Sequence, residues 1–599
     1  MKKNNSFLFV LASAFLLIGC AKTTPNVILK TKRNADNLDS FSVTTDLSTV
    51  KEIHTAQQKE YLSYDGEYVS IPEANYPDGQ KHLSDPEPVK LEWNFEVPSG
   101  KTLSRYDVVV GKEADLSDGY AIKGTAAGEL DIYNSYLGNN YFKIVANYSD
   151  GTSDSSKIQK YEVDDIYPRN LKIDGMTNCR DMGGGRVLSG GGHIKQGLIF
   201  RTSAVNNWAY GRGDVPDRIA DSGKEELLTR LGCKTEINVN NSGNNEVGVQ
   251  NYIDAFMYYD NGKHHMYRNS EPLKQAFHAL ANPDNYPVFY HCRIGTDRTG
   301  FMAIMLGALL GVSENEIYQD YLFSNFGNIQ EKRYIGEKAG RDNILKYMDD
   351  LKTYPGEKLH NKAYNFLISI GIPASELDSI IDILVEGDKP ENYYNHQEVI
   401  MAEEFEADGT EMKEIPATAT GNASRAHPKK YYTLGADQSI TVEFDPDYSG
   451  EAKLLAYLGA PDSNSTTSNP DNRKIAESIS LEFDYNEVEI DEITFADAGF
   501  GQAEGRTFYA PVTLATVDVV EGTTIVTITG IANNLNIGAV SLIPIEQIAD
   551  KEPDTPTPTP EPTPAKKGCG GSIMVTGISM AVISLSGLAI LALKRRKED

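Results

Sequence analysis

Five residues separate Cys292 from Arg298 in the run Tyr290-His291-Cys292-Arg293-Ile294-Gly295-Thr296-Asp297-Arg298-Thr299-Gly300. A loop of that length can curl until its backbone N–H groups converge on the oxygens of a bound phosphate. A helix leaving the loop would add the pull of its N-terminal dipole on an anion. The same field lowers the pKa of a thiol at Cys292. That makes it a nucleophile able to attack phosphorus and form a phosphocysteine. Arg298 is the candidate clamp, because a guanidinium can fork two oxygens and hold the charge that grows in the transition state. Gly295 lets the backbone turn without filling the pocket. Thr299 can give its hydroxyl proton to the departing sulfur, and Arg293, Ile294 and Thr296 complete the candidate phosphate-binding residues. His291 is expected to order the loop through hydrogen bonds. Metal ligation is the alternative for His291, but no second His or Cys stands at ligand spacing. An acid must protonate the leaving oxygen. Asp297 is the first candidate and Asp181 the second. This chemistry calls for no metal and no cofactor.

Elements that could position these residues are legible around them. Pro287-Val288-Phe289-Tyr290 reads as a strand entering the loop, and an apolar run after Thr299 as a helix leaving it. Residues 167–388 alternate short apolar strands with long helical stretches, notably 299–311 and 361–386, which predicts an α/β domain. On either side the pattern has period two. In 86–166, Val89, Leu91, Trp93 and Phe95 alternate with polar residues, as do Tyr106, Val108 and Val110, then Phe142, Ile144, Ala146 and Tyr148. This predicts a β-sandwich. In 399–546, Ile440, Val442 and Phe444 alternate, then Ile479, Leu481 and Phe483, then Val526 and Ile528, predicting a second sandwich. Residues 21–85 are polar with weak periodicity and read as an extension or stalk.

The chain is 599 residues long with a formal charge of −28. The length implies several domains. The acidity disfavours nucleic acid as a partner, since that role requires a basic face. Five cysteines are too few for a disulfide scaffold. Residues 1–20 read as an export signal: Lys2 and Lys3 precede an apolar run ending Leu17-Ile18-Gly19-Cys20. That ending resembles a lipobox, with Cys20 lipidated; an ordinary cleaved signal is the alternative. Residues 547–572 are a Pro/Thr-rich linker. Ile573 to Leu593 is an uncharged apolar stretch of 21 residues, close to the roughly 20 a bilayer requires. The basic tail 594–599 begins Lys594-Arg595-Arg596-Lys597, so the tail is expected in the cytoplasm and the rest outside. The pattern resembles the C-terminal anchors of Gram-positive surface proteins, without the sortase signal. The expectation is an extracytoplasmic, membrane-anchored protein.

The loop His291–Arg298 resembles the HCxxGxxR phosphate-binding loop of cysteine-dependent phosphatases. Three further stretches resemble a bacterial tyrosine-protein phosphatase family. Asn178-Cys179-Arg180-Asp181-Met182-Gly183-Gly184 is similar to its NFRDLGG signature. Gly197-Leu198-Ile199-Phe200-Arg201-Thr202-Ser203 is similar to its GxxYRSS segment, and Leu309 through Tyr321 to its LLGVS…DY stretch. The resemblance implies an α/β fold with a parallel-centred sheet and a metal-free mechanism. It brings Arg180 among the substrate-binding residues and favours the loop aspartate, Asp297, as acid. Departures stand beside it. The family's loop Lys is Thr296 here, which weakens a lipid-phosphatase reading. Asn238-Val239-Asn240 stands for the usual DLR, and Cys179 for the usual Phe. Cys179 is expected either to fill a small apolar site or to act as a resolving thiol for Cys292. The first sandwich resembles a fibronectin type III module. The second resembles jelly-roll carbohydrate-binding modules, with a structural spacer as the alternative. The expected partner is a phosphotyrosine protein or another phosphomonoester, with a glycan at the jelly roll. An inositol-phosphate or phosphoinositide phosphatase is the rival enzyme. A glycan-binding adhesin with a vestigial phosphatase fold is the rival outside enzymes.

Overall fold

The computed structural model describes residues 40–206, 218–240, 243–257, 266, 269–339, 344–354, 356–390, 396–415, 428–459, 474–476, 478–484, 486–494, 509–532 and 535–545. The expected export signal with Cys20, the Pro/Thr linker, the 573–593 span and the basic tail lie outside them. Among the described residues no helix is long and apolar enough to cross a membrane.

Two β-sandwiches flank an α/β layer. In the first, Phe41–Val43, Val89–Phe95 and Glu129–Ile132 form a three-stranded antiparallel sheet. It faces a sheet of Tyr120–Lys123, Leu103–Gly111 and Gly138–Tyr148, the last pairing both Ser153–Ser155 and Gln159–Val163. The period-two residues point inward: Leu91, Val108, Val110, Phe142 and Ile144 are fully buried in one core.

The central sheet has the order Asn251–Asp254, Thr235–Asn238, Val288–His291, Ile199–Thr202, Arg180–Asp181, Arg169–Asn170. Its first four strands are parallel and the last two antiparallel. Asn238 and Thr202 both register with His291. The loops leaving three parallel strands therefore open at one edge, where α/β sheets place ligands. Helix Asp297–Leu309 leaves the middle strand's loop, and eleven of its thirteen residues are buried. A helix apolar all round can be stable only when covered on every side. It lies in the largest core, with the helices Leu359–Ser369 and Ala374–Leu384.

The second sandwich pairs a sheet of Met412–Glu414, Lys430–Leu434, Leu535–Pro544, Gly450–Gly459 and Tyr509–Val519 with one of Glu406–Asp408, Ser439–Phe444, Thr524–Ala532, Ser478–Phe483 and Asn486–Ile490. Glu398–Met401 adds to the first sheet beside Leu535–Pro544.

Residues 40–85 correct the expectation of a polar extension. Phe41 stacks on Phe95 at 4.1 Å inside the first sandwich. Helix Ala56–Leu62, opened by a Thr55/Gln58 capping box, puts Tyr61 into the central core along with Tyr68, Ile71 and Tyr76. The Tyr61 hydroxyl donates to the Gln319 carbonyl at 2.7 Å, and the Asn315 side chain accepts the Tyr68 amide at 2.7 Å. The periodicity was weak because the segment supplies single aromatic anchors rather than the repeating face of a helix or strand.

Candidate active site

Strand Val288–His291 delivers Cys292 to the sheet edge with the thiol 1% exposed. The loop that follows is pinned from outside by its carbonyls. The Ala204 amide donates to Arg293 O at 3.1 Å. The Asn178 side-chain amide donates to Ile294 O at 3.2 Å and Gly295 O at 2.9 Å. Arg201 donates to Gly295 O at 2.9 Å, and the Gly300 amide to Thr296 O at 2.6 Å. In a planar trans peptide the N–H points opposite to its C=O. With the Arg293, Ile294 and Gly295 carbonyls held outward, the amides of Ile294, Gly295 and Thr296 turn to the other side, in position to cradle an anion. Gly295 makes the turn at φ +73°, and a Cβ there would lie 2.6 Å from Thr202 O, so no other residue fits.

Burial pushes the Cys292 thiol up, but the Arg298 charge and the Thr299 hydroxyl and amide outweigh it, and the thiol sits below its ordinary range. The Thr299 hydroxyl accepts the Cys292 amide at 2.7 Å, which leaves its proton for sulfur. His291 is buried with Nε2 3.0 Å from Glu236 and Nδ1 3.0 Å from the Cys292 carbonyl. Both partners are acceptors, so both ring nitrogens donate. Burial opposes that charge, but Glu236 outweighs it and the His291 pKa is raised. The ring, bridging Glu236 and the Cys292 carbonyl, locks the base of the loop. Among the described residues no cluster of His, Cys, Asp and Glu could hold a metal.

Asp297 opens the helix, next to Arg298. Arg333 forks both its oxygens, at 3.0 and 3.1 Å, and also meets Glu331 at 2.8 Å. The carboxyl is thereby aimed, with one lone pair left open on each oxygen.

Two expectations are corrected. Asp181, the second candidate acid, is fully buried and pairs with Arg169 at 2.7 Å. Its oxygens also accept the Gly183 and Gly197 amides at 2.9 and 2.6 Å. It registers with Phe200, inside the sheet, and is a structural anchor. Arg180, expected among the substrate-binding residues, is also a buried strut. It donates to Asp320 at 2.8 Å, to the Asp320 carbonyl at 2.7 Å and to the Asn178 side chain at 2.5 Å. Asp320 further takes the Tyr167 hydroxyl at 2.6 Å and Arg201, and these two arginines hold its carboxyl well below the usual range despite burial. Thr296 keeps its place in the loop, but its side chain is buried against Asn178 at 3.3 Å. Cys179 lies in the core on the other face of the sheet with Phe200 and Phe289, while Cys292 belongs to the larger core. Burial pushes the Cys179 thiol far up. It fills an apolar site and is no resolving thiol.

Sequence reasoning assigned no role to Asn178, Arg201, Glu236, Asp320 or Arg333. Three of these stand inside the quoted motifs. Asn178 carries a further signal only in the structure, a left-handed φ of +57°. Glu236 and Arg333 have no local signature.

Residues 171–367 match the model of the tyrosine phosphatase family. Over 190 residues the chain is 26% identical to a Cupriavidus necator protein named for tyrosine-protein phosphatase activity, covering 27% of this chain and 65% of that one. Over 181 residues it is 24% identical to the triple specificity protein phosphatase PtpB of Mycobacterium tuberculosis, covering 29% of this chain and 62% of that one. The chain thus spans less than two thirds of the length of either relative. Among solved structures, a family 35 carbohydrate binding module from Clostridium thermocellum aligns at 15% identity and a TM-score of 0.18, covering 25% of this chain and 98% of that one. A family 35 module of Abf62 from Cellvibrio japonicus aligns at 16% and 0.17, covering 24% and 92%. Over residues 171–367, then, the chain is similar to the tyrosine phosphatase family.

Proposed function

We propose that the chain is a cell-surface, cysteine-dependent phosphatase that hydrolyses phosphomonoesters, with phosphotyrosine protein as the first substrate class. The carrying observation is the conjunction at one sheet edge of a thiol lowered by Arg298 and Thr299 with a loop whose carbonyls are all tied outward. In the proposed reaction the Cys292 thiolate attacks phosphorus, a P–S bond forms and the P–O bond to the leaving group breaks. Asp297 gives the proton the leaving oxygen needs. Water then cleaves the P–S bond and returns the thiolate. Arg298 forks two phosphoryl oxygens through both steps. The buried, uncharged Thr296 side chain supplies no cation for a polyanionic headgroup, which favours a protein substrate over an inositol phosphate. The C-terminal sandwich is proposed as a glycan-binding module that holds the enzyme near its target.

The test has three arms. Cys292→Ser should abolish turnover of p-nitrophenyl phosphate while vanadate still binds; full activity would sink the mechanism. Asp297→Asn should slow a poor leaving group by about 10²–10⁴-fold and p-nitrophenol release much less. For the thiol, the rate of alkylation by iodoacetamide should rise with pH at a lower inflection than for a free cysteine. Thr299→Ala removes a donor to the thiolate, so that inflection should move to higher pH. A screen of phosphotyrosine peptides against inositol phosphates decides the substrate class.

A further inference from the structure

Behind the phosphate loop, on the flank of helix Asp297–Leu309, a cavity admits about one water-sized particle. Its wall is apolar along Ala303, Ile304, Gly307 and Val312, and its polar side is made by Arg186, Arg201 and Asp320. The Nε–H groups of Arg186 and Arg201 are both buried and meet no acceptor. Arg201, fully buried, sends its other nitrogens to Asp320 and Gly295 O. Arg186, 6% exposed, donates to the Met182 carbonyl at 3.0 Å and lies 3.5 Å over the Tyr167 ring. Among the described residues no carboxylate forms an ion pair with it.

The charges around this cavity do not balance. Arg180, Arg186 and Arg201 surround one carboxylate, Asp320, leaving an excess of two positive charges in the core. Unpaired buried charge is costly, and a small occupant can relieve it. Water suits the place poorly. It could accept from both Nε–H groups, but its own protons would need acceptors. Asp320 Oδ2, which takes only Arg201, could accept one of them, but a neutral water leaves the excess of positive charge as it stands. A monatomic anion accepts from both donors, has no proton to place and offsets the charge excess.

We propose that this cavity binds a chloride ion between the Arg186 and Arg201 guanidiniums. The site does not depend on the phosphatase reading, and its test reads no activity.

Crystals of the full chain soaked in sodium bromide should show an anomalous peak between the two Nε atoms. In chloride-free buffer of matched ionic strength, adding chloride should raise the melting temperature by a few degrees, as ligands of the native state do. Arg186→Met should remove both effects. Gly307→Ala is a second, gentle variant. Its new methyl would sit 3.7 Å from Val312 and 3.8 Å from Ile317, two residues of the cavity wall, without a clash and on a helix that prefers alanine. The chloride response should weaken or vanish in it. A bromide soak that labels other positions but leaves this one dark would overturn the proposal. So would a chloride response undiminished in both variants.

Discussion

The two sandwiches meet the catalytic layer through joints of different construction. At the N-terminal joint a buried arginine crosses over. Arg169, on the edge strand Arg169–Asn170 of the central sheet, donates to Ser135 O at 3.0 Å and Asn134 O at 2.9 Å while pairing with Asp181. It also covers the Tyr136 ring at 4.0 Å. Asn134 exchanges hydrogen bonds with the Lys172 backbone at 3.0 and 2.6 Å, and the Gln196 side chain does so with Leu137 at 2.9 and 3.0 Å. At the C-terminal joint the Tyr457 hydroxyl donates to Ser369 O at 2.8 Å, Gln397 donates to Asn365 O at 2.6 Å, and Lys429 faces Glu271 at 3.6 Å. The first joint ends in charge buried within the catalytic sheet. The second rests on neutral donors at helix-end carbonyls and one half-exposed ion pair. A sandwich joined in the first way is built into the central α/β layer, whereas one joined in the second is only docked against it.

The bluntest way to break this contrast is truncation. A chain starting at residue 167 should be insoluble or inactive, because the central core loses Tyr61, Tyr68, Ile71 and Tyr76 and Arg169 loses the Ser135 and Asn134 carbonyls. A chain ending at residue 390 should keep its activity on p-nitrophenyl phosphate. Equal behaviour of the two would erase the distinction. Next in size is Arg169→Met, which strands Asp181 as an uncompensated buried charge and should cost about 3–5 kcal/mol in urea unfolding.

A subtler change sharpens the comparison through catalysis. Gly79 sits at φ +73° with its carbonyl accepting the Ile329 and Gln330 amides at 2.8 Å, and a Cβ there would lie 2.7 Å from Glu331 O. Gly79→Val should shift the strap that carries Arg333 and misaim Asp297. The loss in kcat for a poor leaving group should be about 10- to 100-fold, with KM little changed. Gln397→Ala should leave kcat alone. The smallest effect belongs to Tyr457→Phe, which removes one hydrogen bond and should cost about 0.5–1.5 kcal/mol in thermal unfolding without touching turnover.

What the sequence disclosed follows the range of the forces involved. Period-two alternation at Val89, Leu91 and Trp93 is local, and those side chains do face a core. The strand, loop and helix around Cys292 are contiguous, so their order and spacing could be read directly. Asp181 was misread because a motif shows that an aspartate stands near the loop in sequence, while its burial beside Arg169 depends on a partner strand. Arg180 failed the same way, since Asp320 lies 140 residues on. Arg333 and Glu236 reach the site from segments with no repeating pattern, and tertiary contact alone gives them roles. The 40–85 segment is the extreme case. Each of its anchors is paid for by a pocket elsewhere in the chain, and nothing in its own periodicity advertises that.

That segment also sets the timing of assembly. Tyr61, Tyr68 and Tyr76 belong to the first seventh of the chain, yet they close onto Gln319, Asn315 and Lys332, with sequence separations of 258, 247 and 256 residues. Contacts this distant make folding slow, because the loop they close must be ordered before it is rewarded. A chain emerging N-terminus first holds these aromatic anchors unburied until the partner helix arrives, just past the midpoint of synthesis. The Cys292 loop and the strap that carries Arg333 onto Asp297 are then secured in the same closing event. An unfinished chain therefore carries Cys292 on a loop whose surroundings are not yet closed, and the whole edge of the central sheet is completed in one step.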